Sequence, residues 1–128
     1  MGPARRRCRG FTLIELLVVL AIIGTLLAMA APRYFRSVDH AREAALKQDL
    51  AVMRDAIDKH HADTGRYPAA LEDLVAKRYL RRIPADPITE STETWVITAP
   101  LDRELGAVYN VASGAEGSAR DGTLFSAW

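Results

Sequence analysis

Cysteine is almost missing from this chain: Cys8 is the only one, so no disulfide can close within it, and a small domain without such a staple depends on its apolar core. Charge is missing over one long interval, because between Arg9 and Arg33 the sole charged side chain is Glu15. Motifs that gather chemistry are missing as well. There is no nucleophile elbow, no phosphate-binding glycine loop and no zinc-spaced set of cysteine and histidine. These gaps exclude a disulfide-rich scaffold and leave an enzymatic reading, such as a membrane-tethered hydrolase, without residues to carry it. Serines, histidines and acids occur, but nothing in their spacing brings them together.

What is present begins with the uncharged interval itself. Leu16 to Ala31 is an unbroken stretch of apolar and small residues ending at Pro32. As one helix rising ~1.5 Å per residue, Phe11 to Pro32 extends about 33 Å, enough to cross the hydrocarbon core of a bilayer. Arg5, Arg6, Arg7 and Arg9 precede it and predict a cytoplasmic N-terminus, with everything after Arg33 sent across the membrane. An ordinary secretory signal also starts with a basic region, and Ala28-Met29-Ala30 resembles its cleavage site. Glu15 at the head of the apolar run argues against that alternative. Pro32 lacks a backbone donor and predicts a kink or weak point; Gly24 predicts another, or a place of close helix packing.

From Arg33 to about Ala62 the pattern becomes amphipathic. Val38, Ala41 and Ala45 lead into Leu46, Leu50, Met53 and Ile57 at steps of three and four, opposite a charged face that includes Glu43 and Lys47. The helix is therefore expected to continue out of the membrane. Asp63 to Pro68 reads as a stop, with Gly65 in the left-handed cap position. A short helix over Ala69–Tyr79 follows, with Leu71, Leu74, Val75 and Tyr79 inward. Glu93–Thr98 and Ala107–Val111 are β-branched and aromatic runs that predict an antiparallel hairpin across the turn-rich stretch Ala99 to Gly106. Ser113 to Gly122 reads as a surface loop, and Leu124 and Phe125 as a last short strand before Trp128.

Arg9-Gly10-Phe11-Thr12-Leu13-Ile14-Glu15-Leu16-Leu17-Val18-Val19 resembles the N-terminal signature of the type IV pilin and type II secretion pseudopilin superfamily. A second match covers Gly65-Arg66-Tyr67-Pro68, Leu71, Leu74 and Ile83-Pro84-Ala85-Asp86-Pro87, which is similar to the segment after the long helix in major pseudopilins. The resemblance implies an α+β, pilin-like fold: a long N-terminal helix, half in the membrane and half packed on a small antiparallel β-sheet. It divides the chain into a leader, residues 1–10, a transmembrane and polymerisation helix, residues 11–32, and a periplasmic domain, residues 33–128.

The same resemblance implies roles for single residues. Prepilin peptidase cleaves between Gly10 and Phe11 and methylates the new amine of Phe11. Glu15 pairs with the Phe11 amine of a neighbouring subunit, and Gly24 and Pro32 match the family's helix-weakening positions. A charge in a membrane segment costs on the order of 2.5–3.5 kcal/mol on insertion scales, so pairing would neutralise Glu15 and fix the stagger between subunits. The alternative for Glu15 is a carboxylate resting at the headgroup boundary.

The implied partners are copies of the chain and other pseudopilins, the prepilin peptidase, and an inner-membrane assembly platform with its ATPase. The implied function is structural, in a type II secretion pseudopilus that drives protein export; a type IV pilin for adhesion, motility or DNA uptake is the alternative. The missing disulfide leans toward the pseudopilins. Nucleic acid is not an expected partner: the whole chain carries +1, and without the leader 13 basic side chains face 16 acidic ones. Only Lys77-Arg78-Tyr79-Leu80-Arg81-Arg82, a basic run with an aromatic inside it, points the other way.

No cofactor is expected, with one reservation. Major pseudopilins bind calcium in a C-terminal loop, here Ser113 to Gly122, where Glu116, Asp121 and Ser113 or Ser118 are the candidate donors. His60, His61 and Asp63 suggest a metal site only superficially. Adjacent helical residues point about 100° apart, so one ring is expected to extend the apolar stripe and the other to face water.

Overall fold

The computed structural model describes residues 1–3 and 9–128. Arg5, Arg6, Arg7 and Cys8 lie outside the described residues, and with them most of the expected leader. The chain comprises two compact units, Met1–Ser37 and Val38–Trp128. One helix, α1 (Leu13–Thr64), runs through both.

In the first unit α1 is apolar all round and covered by nothing. Leu13, Ile14, Leu16, Leu17, Val18 and their successors to Met29 are exposed. Mean hydropathy reaches 2.6 over an 18-residue window with none of that window buried. A helix of this length and composition stays out of water only by taking lipid or other chains around it. The helical assignment passes through Gly24 and Pro32 without a break.

In the second unit the remainder of α1 turns amphipathic. Leu46, Leu50, Met53, Ile57 and His60, spaced four, three, four and three, are buried, as is Ala56. Ala41 and Ala45, expected on the same face, are exposed, and Val38 is half-buried, so the stripe starts at Leu46. α1 ends where Gly65, at φ +73°, donates its N–H to the His61 carbonyl at 2.8 Å, which is the expected left-handed cap.

The second helix, α2 (Leu71–Ala76), is shorter than the sequence pattern suggests. Arg78 closes it in the left-handed region at φ 65°. Tyr79 N–H then reaches the Leu74 carbonyl at 2.8 Å and Arg78 N–H the Val75 carbonyl at 3.1 Å, which is the Schellman pattern of bonds. That position normally selects glycine, so no residue type marked the stop. Leu71 and Leu74 face inward as expected, with Val75 and Tyr79 half-buried.

The sheet is a two-stranded antiparallel hairpin of β1 (Trp95–Thr98) and β2 (Asn110–Ser113), with Trp95 opposite Ser113 and Thr98 opposite Asn110. β2 starts later than expected because the N–H groups of Ala107 and Val108 both go to the Pro68 carbonyl, at 3.2 and 2.9 Å. Ser113, assigned to the following loop by its polarity, ends β2 fully buried, and Ala115 and Ala119 are buried beyond it. Leu124 makes one isolated antiparallel bridge with Ser118, and Phe125–Ala127 is a 3-10 turn, not a strand. Even so, Phe125 is buried and Trp128 crosses it edge to face at 5.3 Å, so the terminal aromatics do close the core. The core thus joins one face of α1, α2, the hairpin and the C-terminal turn. This is an α+β, pilin-like architecture.

Candidate functional site

The start of α1 is built by Thr12. Its hydroxyl accepts the N–H of Glu15 at 3.2 Å and its carbonyl accepts that of Leu16 at 3.1 Å, so Thr12 is the N-cap of the membrane helix. Thr12-Leu13-Ile14-Glu15 has the spacing of a capping box, the signal through which sequence reasoning could have found this role. The expected cleavage and assembly residues sit side by side here. Gly10 and Phe11 precede the helix outside any regular element, and Phe11 is 83% exposed. Glu15 is exposed one turn inside. Among the described residues the ion pairs are Arg42 with Glu90 at 3.5 Å and Lys59 with Asp55 at 2.7 Å; Glu15 belongs to neither. Its charge is therefore held at the positive end of a helix dipole, with no cation paired to it among the described residues.

Gly24 faces open space: no heavy atom lies within 4 Å of where a Cβ would stand. Beside it, Thr25 Oγ1 donates to the Ala21 carbonyl at 2.8 Å, a back-bond that favours bending. Gly24 and Pro32 thus lie on the uncovered part of α1.

Inside the second unit one carboxylate is buried in the core, that of Asp86 in the Ile83–Pro87 segment. It is fully buried. Oδ1 accepts the N–H groups of Ile88 at 2.8 Å and Thr89 at 3.4 Å, while Oδ2 accepts the Ser113 hydroxyl. Ser113 Oγ in turn accepts the N–H of Ala115 at 3.1 Å. The loop after α2 is thereby tied to the end of β2. An Asx turn at Asp86-Pro87-Ile88 was the available signal; the Ser113 partnership had none.

Asp49 on α1 feels this buried acid. Partial burial, and then the charge of Asp86, hold its carboxyl above the usual 3.8. A carboxyl raised in the folded state keeps a proton that the unfolded chain has lost, so stability falls as pH rises through that window and stays lower above it. Asp49→Asn should therefore melt a few degrees higher than the parent at pH 7. The difference should close as pH drops below 4, about the unfolded carboxyl pKa. Thermal melts at the two pH values check both halves.

His60 extends the apolar stripe as expected, whereas His61 packs on an aromatic ring instead of facing water. His60 is buried: Nδ1 meets the Arg66 carbonyl at 2.8 Å and so carries the hydrogen, which leaves Nε2 to accept from Lys77 Nζ at 3.2 Å. His61 is half-buried and stacks on Tyr67 at 4.2 Å. In the basic run, Tyr79 is turned toward His60, edge to face at 5.3 Å, with its hydroxyl donating to Asp63 at 2.8 Å, and Leu80 is buried. No aromatic platform is left among those cations for a base to stack on.

The candidate calcium loop closes on itself. Asp121 Oδ1 accepts both the N–H and the hydroxyl of Thr123, at 3.0 and 2.6 Å, and these bonds hold its carboxyl below the usual range. The Ser113 hydroxyl is committed to Asp86, while Glu116 and Ser118 point into solvent. Among the described residues no three His, Cys, Asp or Glu side chains gather as a metal set. The loop's side chains do not fit an ion that takes six to eight oxygens.

Against known proteins, residues 5–31 match the family model of the prokaryotic N-terminal methylation motif. The type II secretion system core protein G of Pseudomonas aeruginosa is 34% identical over 99 residues, covering 65% of this chain and 70% of that protein. Its counterpart in Klebsiella michiganensis is 31% identical over the same shares. The one in Vibrio cholerae is 27% identical, with 96% of this chain and 93% of that protein aligned. No solved structure matches. With the methylation motif at the head of an uncovered apolar helix and the similarity extending through the packed unit, the chain belongs to the family of type II secretion system core protein G, the major pseudopilin.

Proposed function

We propose that this subunit is made as a precursor, cut between Gly10 and Phe11 by prepilin peptidase, methylated on the Phe11 amine and then polymerised out of the membrane. Its role in type II secretion is that of a structural subunit of the pseudopilus, anchored in the membrane by α1. In the proposed topology the N-terminus is cytoplasmic, Phe11 to Pro32 crosses the inner membrane, and the domain from Arg33 onward is periplasmic. Polymerisation joins copies of this chain and other pseudopilins, driven by an inner-membrane platform and its ATPase, and the growing filament pushes proteins outward. No catalytic step is assigned to the chain; it is the substrate of the peptidase.

The observation that carries this reading is the uncovered apolar helix with its single carboxylate, which among the described residues has no ion-pair partner. Cleavage at Gly10 frees an amine at Phe11, four residues before Glu15. Pairing Glu15 with that amine on a neighbour neutralises both charges and selects one axial stagger, because other registers leave Glu15 unpaired in an apolar surround. Pro32 and Gly24 are proposed as the places where α1 yields as subunits pack. Deleting the gene and assaying protein secretion and surface pili separately tests the role: secretion should stop while pili persist. Loss of pili with normal secretion would favour the type IV pilin alternative.

The loop Ser113 to Gly122 is proposed to keep its shape by its own hydrogen bonds, without a resident ion. The melting temperature should then be the same in calcium and in chelator. A rise of several degrees with calcium would contradict this.

A further inference from the structure

Just past Pro32 the uncovered part of α1 carries four large side chains in a row, Arg33, Tyr34, Phe35 and Arg36, all exposed. At about 100° per residue, Arg33 and Arg36 share one face and Tyr34 and Phe35 fall on the opposite one, so the four ring a single turn. Tyr34 is 67% and Phe35 64% exposed, and their rings cross edge to face at 5.8 Å. Neither arginine is in an ion pair among the described residues. The one acid between Met1 and Ser37 is Glu15, at the other end of the apolar run.

From Leu13 to Pro32 the helix rises about 30 Å, the thickness of a hydrocarbon core, so with that stretch in a bilayer the next turn stands at the headgroups. A tyrosine settles at that level because its apolar body and polar tip suit the boundary. An arginine matches a phosphate there, two N–H donors to two oxygens. Basic residues close behind a span are disfavoured on the side that crosses the membrane. Arg33 and Arg36 run against that bias, and a use on the exit side accounts for them.

We propose that Arg33 and Arg36 bind the phosphates of anionic phospholipids in the leaflet at the C-terminal end of the span, with Tyr34 and Phe35 seated among the same headgroups. The occupant is lipid because this turn is continuous with the apolar helix that lipid covers before assembly, and because two unpaired guanidinium groups call for negative charge. The turn then fixes how deep α1 sits. Cleavage at Gly10 takes Arg5, Arg6, Arg7 and Arg9 away with the leader, which leaves Arg33 and Arg36 as the basic side chains nearest the span. The electrostatic hold on a processed subunit is thereby moved to the side toward which it leaves. This inference rests on the membrane reading above and adds to it a lipid class and the residues that select it.

The test puts a fluorophore on Ser37→Cys, an exposed position beside Arg36, in the full-length chain with Cys8→Ser so that the label has one thiol. The chain is reconstituted in vesicles of phosphatidylcholine and phosphatidylglycerol, each lipid in turn carrying a nitroxide quencher near the head of its acyl chain. Quenching reports only lipids near the label, so the leader arginines, about 30 Å away at the other face, do not contribute. Phosphatidylglycerol should associate about fivefold more strongly than phosphatidylcholine. Arg33→Gln with Arg36→Gln should bring the two lipids level, while the double change to Lys should keep part of the preference. Tyr34→Ala with Phe35→Ala should keep the preference and weaken quenching by both lipids alike; unchanged quenching would remove the rings from the contact. Equal association in the parent, or a preference that survives the change to Gln, would overturn the inference and leave the membrane reading standing. So would loss of the preference to excess inorganic phosphate at constant ionic strength, which would mark a site for the free ion. Quenching by neither lipid would place position 37 outside the bilayer, and both readings would fall.

Discussion

Glu15→Val should enter the membrane and be cleaved as efficiently as the parent, yet be missing from the filament fraction, with secretion reduced to that of a deletion strain. The substitution removes a charge that costs on the order of 2.5–3.5 kcal/mol at the centre of a membrane helix, so insertion can only become easier. Nor does the start of α1 depend on the side chain. The bond that caps it runs from the backbone N–H of Glu15 to Thr12 Oγ1, and valine keeps that N–H. In the proposed assembly, what is lost is the partner for the Phe11 amine of the next subunit. That amine would then be buried among apolar helices without a counter-charge, the costly half-broken state of an ion pair. Glu15→Asp should retain some assembly, since the charge remains on a shorter reach. Normal filaments from Glu15→Val would show that the carboxylate only rests at the headgroup boundary.

The largest effect on stability should come from Asp86→Ala. Removing a buried acceptor strands the Ser113 hydroxyl and the N–H of Ile88 away from water, and opens a void between the loop and β2. Each stranded donor costs about 1–3 kcal/mol, and charge-assisted bonds are the strong ones, so a total of about 3–5 kcal/mol is expected. For a domain of this size that lowers the melting temperature by on the order of 15 °C or more and takes much of a reserve of about 5–15 kcal/mol. Asp86→Asn retains an acceptor for Ile88 and should lose less. Thermal melts of the detergent-solubilised chain measure both. A change of only a degree or two for Asp86→Ala would mean that the buried network is not what ties the loop to the sheet.

These two residues also mark what sequence could and could not reveal. The signature around Gly10, Phe11 and Glu15 is linear, held in one short run, and was legible as a motif, which the family match over residues 5–31 covers. The stripe from Leu46 to Ile57 was legible because a helix repeats its own geometry, and Gly65 because a left-handed cap selects a residue type. Where the same cap falls on Arg78, the end of α2 went unseen. Asp86 and Ser113 were missed for a different reason: they are 27 residues apart, and each reads alone as an ordinary polar loop residue. Their meaning appears only when β2 carries Ser113 under the loop. The start of β2 was misplaced likewise, since the Pro68 carbonyl that claims Ala107 and Val108 lies in a different segment.

The central claim is that the apolar N-terminal helix is a polymerisation element released at Gly10. Intact-mass and N-terminal fragment spectra of this chain, taken from the sheared filament fraction of a secreting strain, test it most directly. The account predicts a chain that begins at N-methylated Phe11 and keeps every residue of α1. A chain that begins at Met1, or one cut behind Ala30 and released without its helix, would contradict it.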